Sequence, residues 1–110
     1  MSISDPAKID AMGIQGDTLV LLISDHLVWD LDPVQHLQLL QQKLNTYIHY
    51  IDEKGFASEY GGKEFKKYRI EVAFRHPYPD SFGTMVRMAK DRLDEKNITI
   101  RYYQVKGEDA

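Results

Sequence analysis

The segment Thr18-Leu19-Val20-Leu21-Leu22-Ile23-Ser24 is apolar at consecutive positions and follows a turn signal, Gln15-Gly16-Asp17. Successive side chains of a strand point to opposite faces. A run that is apolar on both faces therefore needs cover on both sides and belongs at the centre of a sheet. The Gly-containing turn predicts a hairpin. Its first arm is Lys8 to Ile14, with Gly13 as a bulge position. A central strand demands neighbours, and 110 residues provide one sheet, one helical layer and a single domain. Residues 1–7 and 106–110 are expected to be flexible ends.

Asp32-Pro33-Val34-Gln35 predicts a helix start: a capping carboxylate, a proline at the first helical position, and Gln35 placed to reach back. Val34, Leu37, Leu40, Leu44, Tyr47, Ile48 and Ile51 recur at helical spacing. Gln38, Gln41, Gln42, Asn45, His49 and Asp52 fall on the other side, and Gly55 is the expected stop. Residues 55–67 read as a long connection around Gly61-Gly62. Tyr68, Ile70, Val72 and Phe74 then alternate with Arg69, Glu71, Ala73 and Arg75, the pattern of a half-buried strand. His76-Pro77-Tyr78-Pro79 breaks it. Asp80 or Ser81 is the expected cap of a second helix with apolar positions Phe82, Met85, Val86, Ala89 and Leu93. Asn97 is a left-handed stop, and Ile98, Ile100 and Tyr102 point from a last strand to the core.

The order β-β-α-β-α-β, with right-handed crossovers, predicts an α+β two-layer sandwich. In the simplest arrangement its mixed four-stranded sheet has order 1-2-3-4, strand 1 antiparallel, and both helices on one face; insertion of the last strand elsewhere is the alternative.

Composition removes several classes. With 14 basic and 17 acidic residues the net charge is −3, which opposes non-specific attraction to nucleic acid or anionic membrane. Lys63, Lys66, Lys67 and Arg69 are the densest basic run; they read as a solvated loop or, alternatively, as a nucleic-acid contact. The chain has no cysteine, so disulfides, thiol catalysis and cysteine-bound zinc are excluded. No apolar stretch approaches the roughly 20 residues that span a bilayer. The first residues lack the pattern of a signal peptide, so no membrane contact and a cytoplasmic location are expected.

Topology selects one edge for a site. Open α/β sheets hold ligands outside the carboxyl ends of parallel strands, where both helix N-termini also point. That edge gathers Asp25, His26, Trp29, Arg75, His76 and Tyr78 as candidate binding residues, types suited to proton transfer, anion recognition or a pocket. Against this, Asp25 also suits a turn cap and Trp29 a core plug. Ser24-Asp25-His26 places triad residue types in a row, but neighbours in an extended segment face opposite ways, and no nucleophile elbow is present. No catalytic residue is assigned. His26, His36 and His76 with Asp25, Asp30 and Asp32 are ligand types without metal-site spacing, so no metal is expected. Gly61-Gly62 does not open a helix and there is no dinucleotide fingerprint, so no cofactor is expected. Arg101, Tyr102 and Tyr103 match a base-stacking platform in composition only.

Two surfaces suggest a partner. The helix-free sheet face carries Val20, Leu22 and Tyr103. On the first helix, Leu39, Lys43 and Tyr50 lie off the main stripe as a second, thinner one. Val20, Leu22, Leu39, Tyr50 and Tyr103 are therefore the candidate interface, and a homodimer or another protein partner is expected.

Ile23-Ser24-Asp25-His26-Leu27-Val28-Trp29 resembles a segment of a small bacterial family of unknown function. The likeness extends over Ile9-Asp10-Ala11-Met12-Gly13-Ile14, over His36 through Tyr47, and over Ile70-Glu71-Val72-Ala73-Phe74. It implies a stand-alone bacterial protein and lends no catalytic residue. Three readings follow: a non-enzymatic binding or interaction protein in an accessory or immunity-like role, a small hydrolase using the Asp25/His26/His76 edge with or without metal, and a nucleic-acid accessory protein.

Overall fold

Gly16, at φ 61°, turns the chain back on itself in two residues, and Gln15 pairs with Thr18 across the turn. Only the first central residue has a positive φ, the pattern that suits hairpin twist. In the computed structural model, which describes residues 9–27, 29 and 32–105, this hairpin joins β1 (Ala11–Gln15) to β2 (Thr18–Asp25). The expected start of the arm at Lys8 lies outside the described residues, as do both expected flexible ends. Gly13 pairs with Val20 between the pairs Met12–Leu21 and Ile14–Leu19, so the ladder runs through it without the expected bulge.

The chain continues through α1 (Pro33–Asp52), α2 (Ala57–Tyr60), β3 (Lys67–Phe74), α3 (Asp80–Glu95) and β4 (Ile98–Gln104). The sheet order is β1-β2-β3-β4, with β1 antiparallel and the other three parallel. The two-layer α+β architecture read from the sequence is the one observed. Paired residues share a face. Leu19, Leu21 and Ile23 of β2 therefore join Ile70, Val72 and Phe74 of β3 and Ile98 of β4 under the helices, all within 1% of complete burial.

Several local details differ from expectation, each for a physical reason. Asp32 caps α1 as expected, accepting from Gln35 N at 3.1 Å. The buried stripe of α1, however, is His36, Leu40, Lys43, Leu44, Tyr47 and Ile51, while Val34 is 68% exposed. These six positions recur at spacings of three and four, so the inward face is turned toward His36 and Lys43. Helix α1 ends at Asp52, and Lys54 rather than Gly55 takes the left-handed conformation (φ 55°). Gly55 is required because a Cβ there would lie 2.5 Å from the Tyr50 ring. The connection after it contains α2, one turn too short to show periodicity, closed by left-handed Gly61. Phe56, Tyr60, Phe65 and Tyr68 pack edge-to-face or tilted around that turn. Pro79, with φ −80° and ψ 163°, leads into α3 without a side-chain cap, and Asp80 is the first helical residue rather than the cap. Asn97 ends the following turn at φ 62°, as expected.

The helix-free face is more polar in fact than its composition suggested. Arg69 donates to Glu71 at 2.7 Å and to Gln15 at 2.6 Å, and Tyr103 donates to Glu71 at 3.1 Å. This network crosses three strands beside half-buried Val20 and Leu22. Burial and the Glu71 bond push the Tyr103 phenol above its ordinary value.

Candidate functional site

Asp25 is the last residue of β2 and faces the helices, in line with Ile23. Its carboxylate accepts from Leu27 N at 3.0 Å and from His36 Nε2 at 2.5 Å. The Asp25 carbonyl accepts from Arg75 N at 2.8 Å. The His36 imidazole comes from the first turn of α1, where it is 4% exposed, and Asp25 is 1% exposed. Trp29 lies flat on that imidazole, with centroids 3.6 Å apart and planes 13° apart. Phe74 touches Trp29 at 6.1 Å and Tyr78 at 4.5 Å, and Tyr78 meets Phe82 and Tyr102 edge-on.

Of the six candidate binding residues, the structure thus gathers Asp25, Trp29 and Tyr78 along one aromatic wall. His26 and Arg75 are exposed, each next to a buried neighbour in an alternating segment. His76 is half-buried in the loop toward α3. Sequence reading placed His36 only among metal-ligand types and missed its pairing with Asp25. The available signal was its spacing of four from Leu40 on the inward face of α1. Among the described residues no three His, Asp or Glu side chains come together as a metal site; Asp30 lies outside them.

A carboxylate that fixes one imidazole nitrogen is an arrangement also used to orient a general base. Here Nε2 is taken up by its hydrogen bond with Asp25, while His36 Nδ1 and Trp29 Nε1 are buried with no partner among the described residues. Trp29 and the sheet close the imidazole from solvent, so no substrate atom reaches Nδ1 in this conformation.

A second polar cluster lies further along α1. Lys43 is fully buried and donates to Asp10 at 2.9 Å. Asp10 also accepts from Ser24 N at 3.1 Å, and its own N–H donates to the Tyr47 hydroxyl at 2.8 Å. That hydroxyl donates to the Leu22 carbonyl at 2.5 Å. Burial pushes the Tyr47 phenol far above its ordinary value, with the Asp10 charge adding to the rise and the Asp10 backbone bond opposing it. The sequence pattern places Lys43 in an outward stripe with Leu39 and Tyr50. It is instead the core cation of this cluster, and Leu39 and Tyr50 pack half-buried against the core.

An accessible, mainly apolar concavity lies elsewhere. A groove of about 580 Å³ opens between α1 and α3. Leu44 and Ile48 form one wall, Met85 and Ala89 the other, and Ile100 of β4 the floor. Met88, 81% exposed, stands on its rim beside Arg92. Lys96, just past α3, ties the helices together by donating to Asp52 at 3.0 Å. The basic run does not form one surface: Lys63, Lys66 and Lys67 are exposed around the loop, and Arg69 is held by Glu71 on the open sheet face. Among the described residues no helix is long and apolar enough to cross a membrane.

No curated protein and no solved structure matches this chain. A family model does match, over residues 1–106, and the chain belongs to that family of unknown function, DUF6572.

Proposed function

We propose that this is a non-catalytic interaction protein whose binding surface is the groove between α1 and α3. One observation carries the reading: the paired polar side chains of Asp25, His36 and Lys43 are sealed inside, while apolar side chains line the open groove. Asp25, His36 and Lys43 are each at most 4% exposed. Their hydrogen bonds join α1 to β2 and to Asp10, which is a structural use. The groove is in the size range of binding sites, and its apolar walls with few polar rim groups match what such sites require. A hydrolase at the strand edge is disfavoured because the Asp25 carboxylate is taken up by His36 and Leu27 N, on the opposite side of the segment from exposed His26.

A groove-filling substitution tests the reading. Ala89→Trp adds an indole to the wall of an open groove and leaves the buried clusters untouched. At low protein concentration the wild-type chain should bind the apolar dye bis-ANS at one saturable site, and Ala89→Trp should lose that site while keeping its melting temperature. Unchanged dye binding in Ala89→Trp, or none in the wild type, would exclude the groove as a binding surface.

A further inference from the structure

Asp80, Thr84, Met88, Arg92 and Lys96 stand four residues apart and form one ridge along α3. Met88 sits at its centre. Asp80 begins the ridge eight positions earlier and Lys96 ends it eight positions later, each about 12 Å from Met88 along the axis. All five are exposed. Small residues occupy one half, with Ser81 and Thr84 near the start, and long cations the other.

A ridge with that order complements itself when reversed. We propose that the groove is covered along its α3 rim by a second copy of this chain, its α3 lying antiparallel across the first about a two-fold axis at Met88. Each Met88 then leaves water for the groove rim of the opposite copy. Asp80 of one copy faces Lys96 of the other, and Thr84 faces Arg92, small against large. On the adjacent row Arg87 faces Asp91, and the two-fold axis doubles every pair. Lys96 bonds both carboxylate oxygens of Asp52, at 3.1 and 3.0 Å, and its third ammonium proton is available for Asp80 of the second copy. An isologous contact requires this kind of self-complementarity. The exposed methionine is adaptable enough to seat on an apolar rim. This occupant rests on the groove being the binding surface.

Sedimentation velocity over a wide concentration range tests the pairing. The wild type should form a dimer, and Met88→Glu, which sets two carboxylates at the axis, should weaken it about tenfold or more. Asp80→Lys and Lys96→Asp should each weaken it, and the double exchange should restore it. Because the chain has no cysteine of its own, Met88→Cys should give a disulfide-linked dimer on mild oxidation, while Val34→Cys on the outer side of α1 should not. A wild type that stays monomeric, or a dimer indifferent to Met88→Glu and to both charge reversals, would overturn the second copy as occupant. In that event bis-ANS binding that Ala89→Trp abolishes would leave the groove as the binding surface for another partner, whereas a wild type without that dye site, or dye binding that Ala89→Trp leaves unchanged, would end both.

Discussion

The two sides of α1 invert the usual distribution of polarity. Toward β1 and β2, it buries an imidazole and an ammonium against two carboxylates, and a phenol between two backbone groups. Toward α3, Leu44, Ile48, Met85 and Ala89 line an open groove. Buried charges persist only when paired and hydrogen-bonded, so the first side is fixed in register by directional contacts. Apolar groups at a water-filled groove lose nothing directional and gain when any complementary surface covers them. One side of the helix sets the fold, and the other remains available.

The contrast can be broken by substitution, and the largest effect belongs to the buried side. Lys43→Met should leave the Asp10 carboxylate without its ammonium and cost about 3–5 kcal/mol in urea denaturation. Such a loss approaches the whole stability of an ordinary domain, about 5–15 kcal/mol. A cost near zero would mean that the cluster is not what fixes α1 on the sheet. Asp25→Asn keeps an acceptor for Leu27 N but removes the charged partner of His36; the expected cost is about 1.5–3 kcal/mol, measured the same way.

Tyr47→Phe removes the hydroxyl shared by Asp10 N and the Leu22 carbonyl, at an expected cost of about 1–3 kcal/mol. It also carries a pH signature. The folded phenol holds its proton above the ordinary value near 10, so its contribution is full below that pH and is lost as pH rises beyond it. Wild-type stability should therefore fall more steeply above pH ~10 than that of Tyr47→Phe, as thermal melts across that range would show. The smallest effect belongs to the groove side. Met88→Glu should change the monomer's stability by no more than about 0.5 kcal/mol, although it changes association. A large loss of stability in that variant would show that Met88 supports the fold itself, and the contrast between the two sides would lose its meaning.

Much of the architecture is legible in the residues, the candidate site much less so. The two-faced apolar run of β2 and the alternation of Tyr68 through Phe74 put two strands in the middle of a sheet. Asp32-Pro33 and Asn97 mark helix ends through local backbone chemistry. Helix α2 leaves no such mark, because one turn held by the packing of Phe56, Tyr60, Phe65 and Tyr68 has no period. His36 and Lys43 were legible only as polar residues. Whether a polar residue faces inward depends on a partner distant in sequence, and Asp10 is 33 positions from Lys43.

By itself, the sequence determined the order of elements, the two-layer class and the edge on which Asp25, Trp29 and Tyr78 stand, because those follow from periodicity and turn chemistry within short windows. Only the tertiary structure decided that Asp25 is consumed by His36 beneath Trp29, that Lys43 belongs to the core, and that the open concavity lies between α1 and α3. Each of these depends on how the helices are rotated and spaced on the sheet, which the packing of side chains far apart in the chain sets jointly and no local pattern encodes.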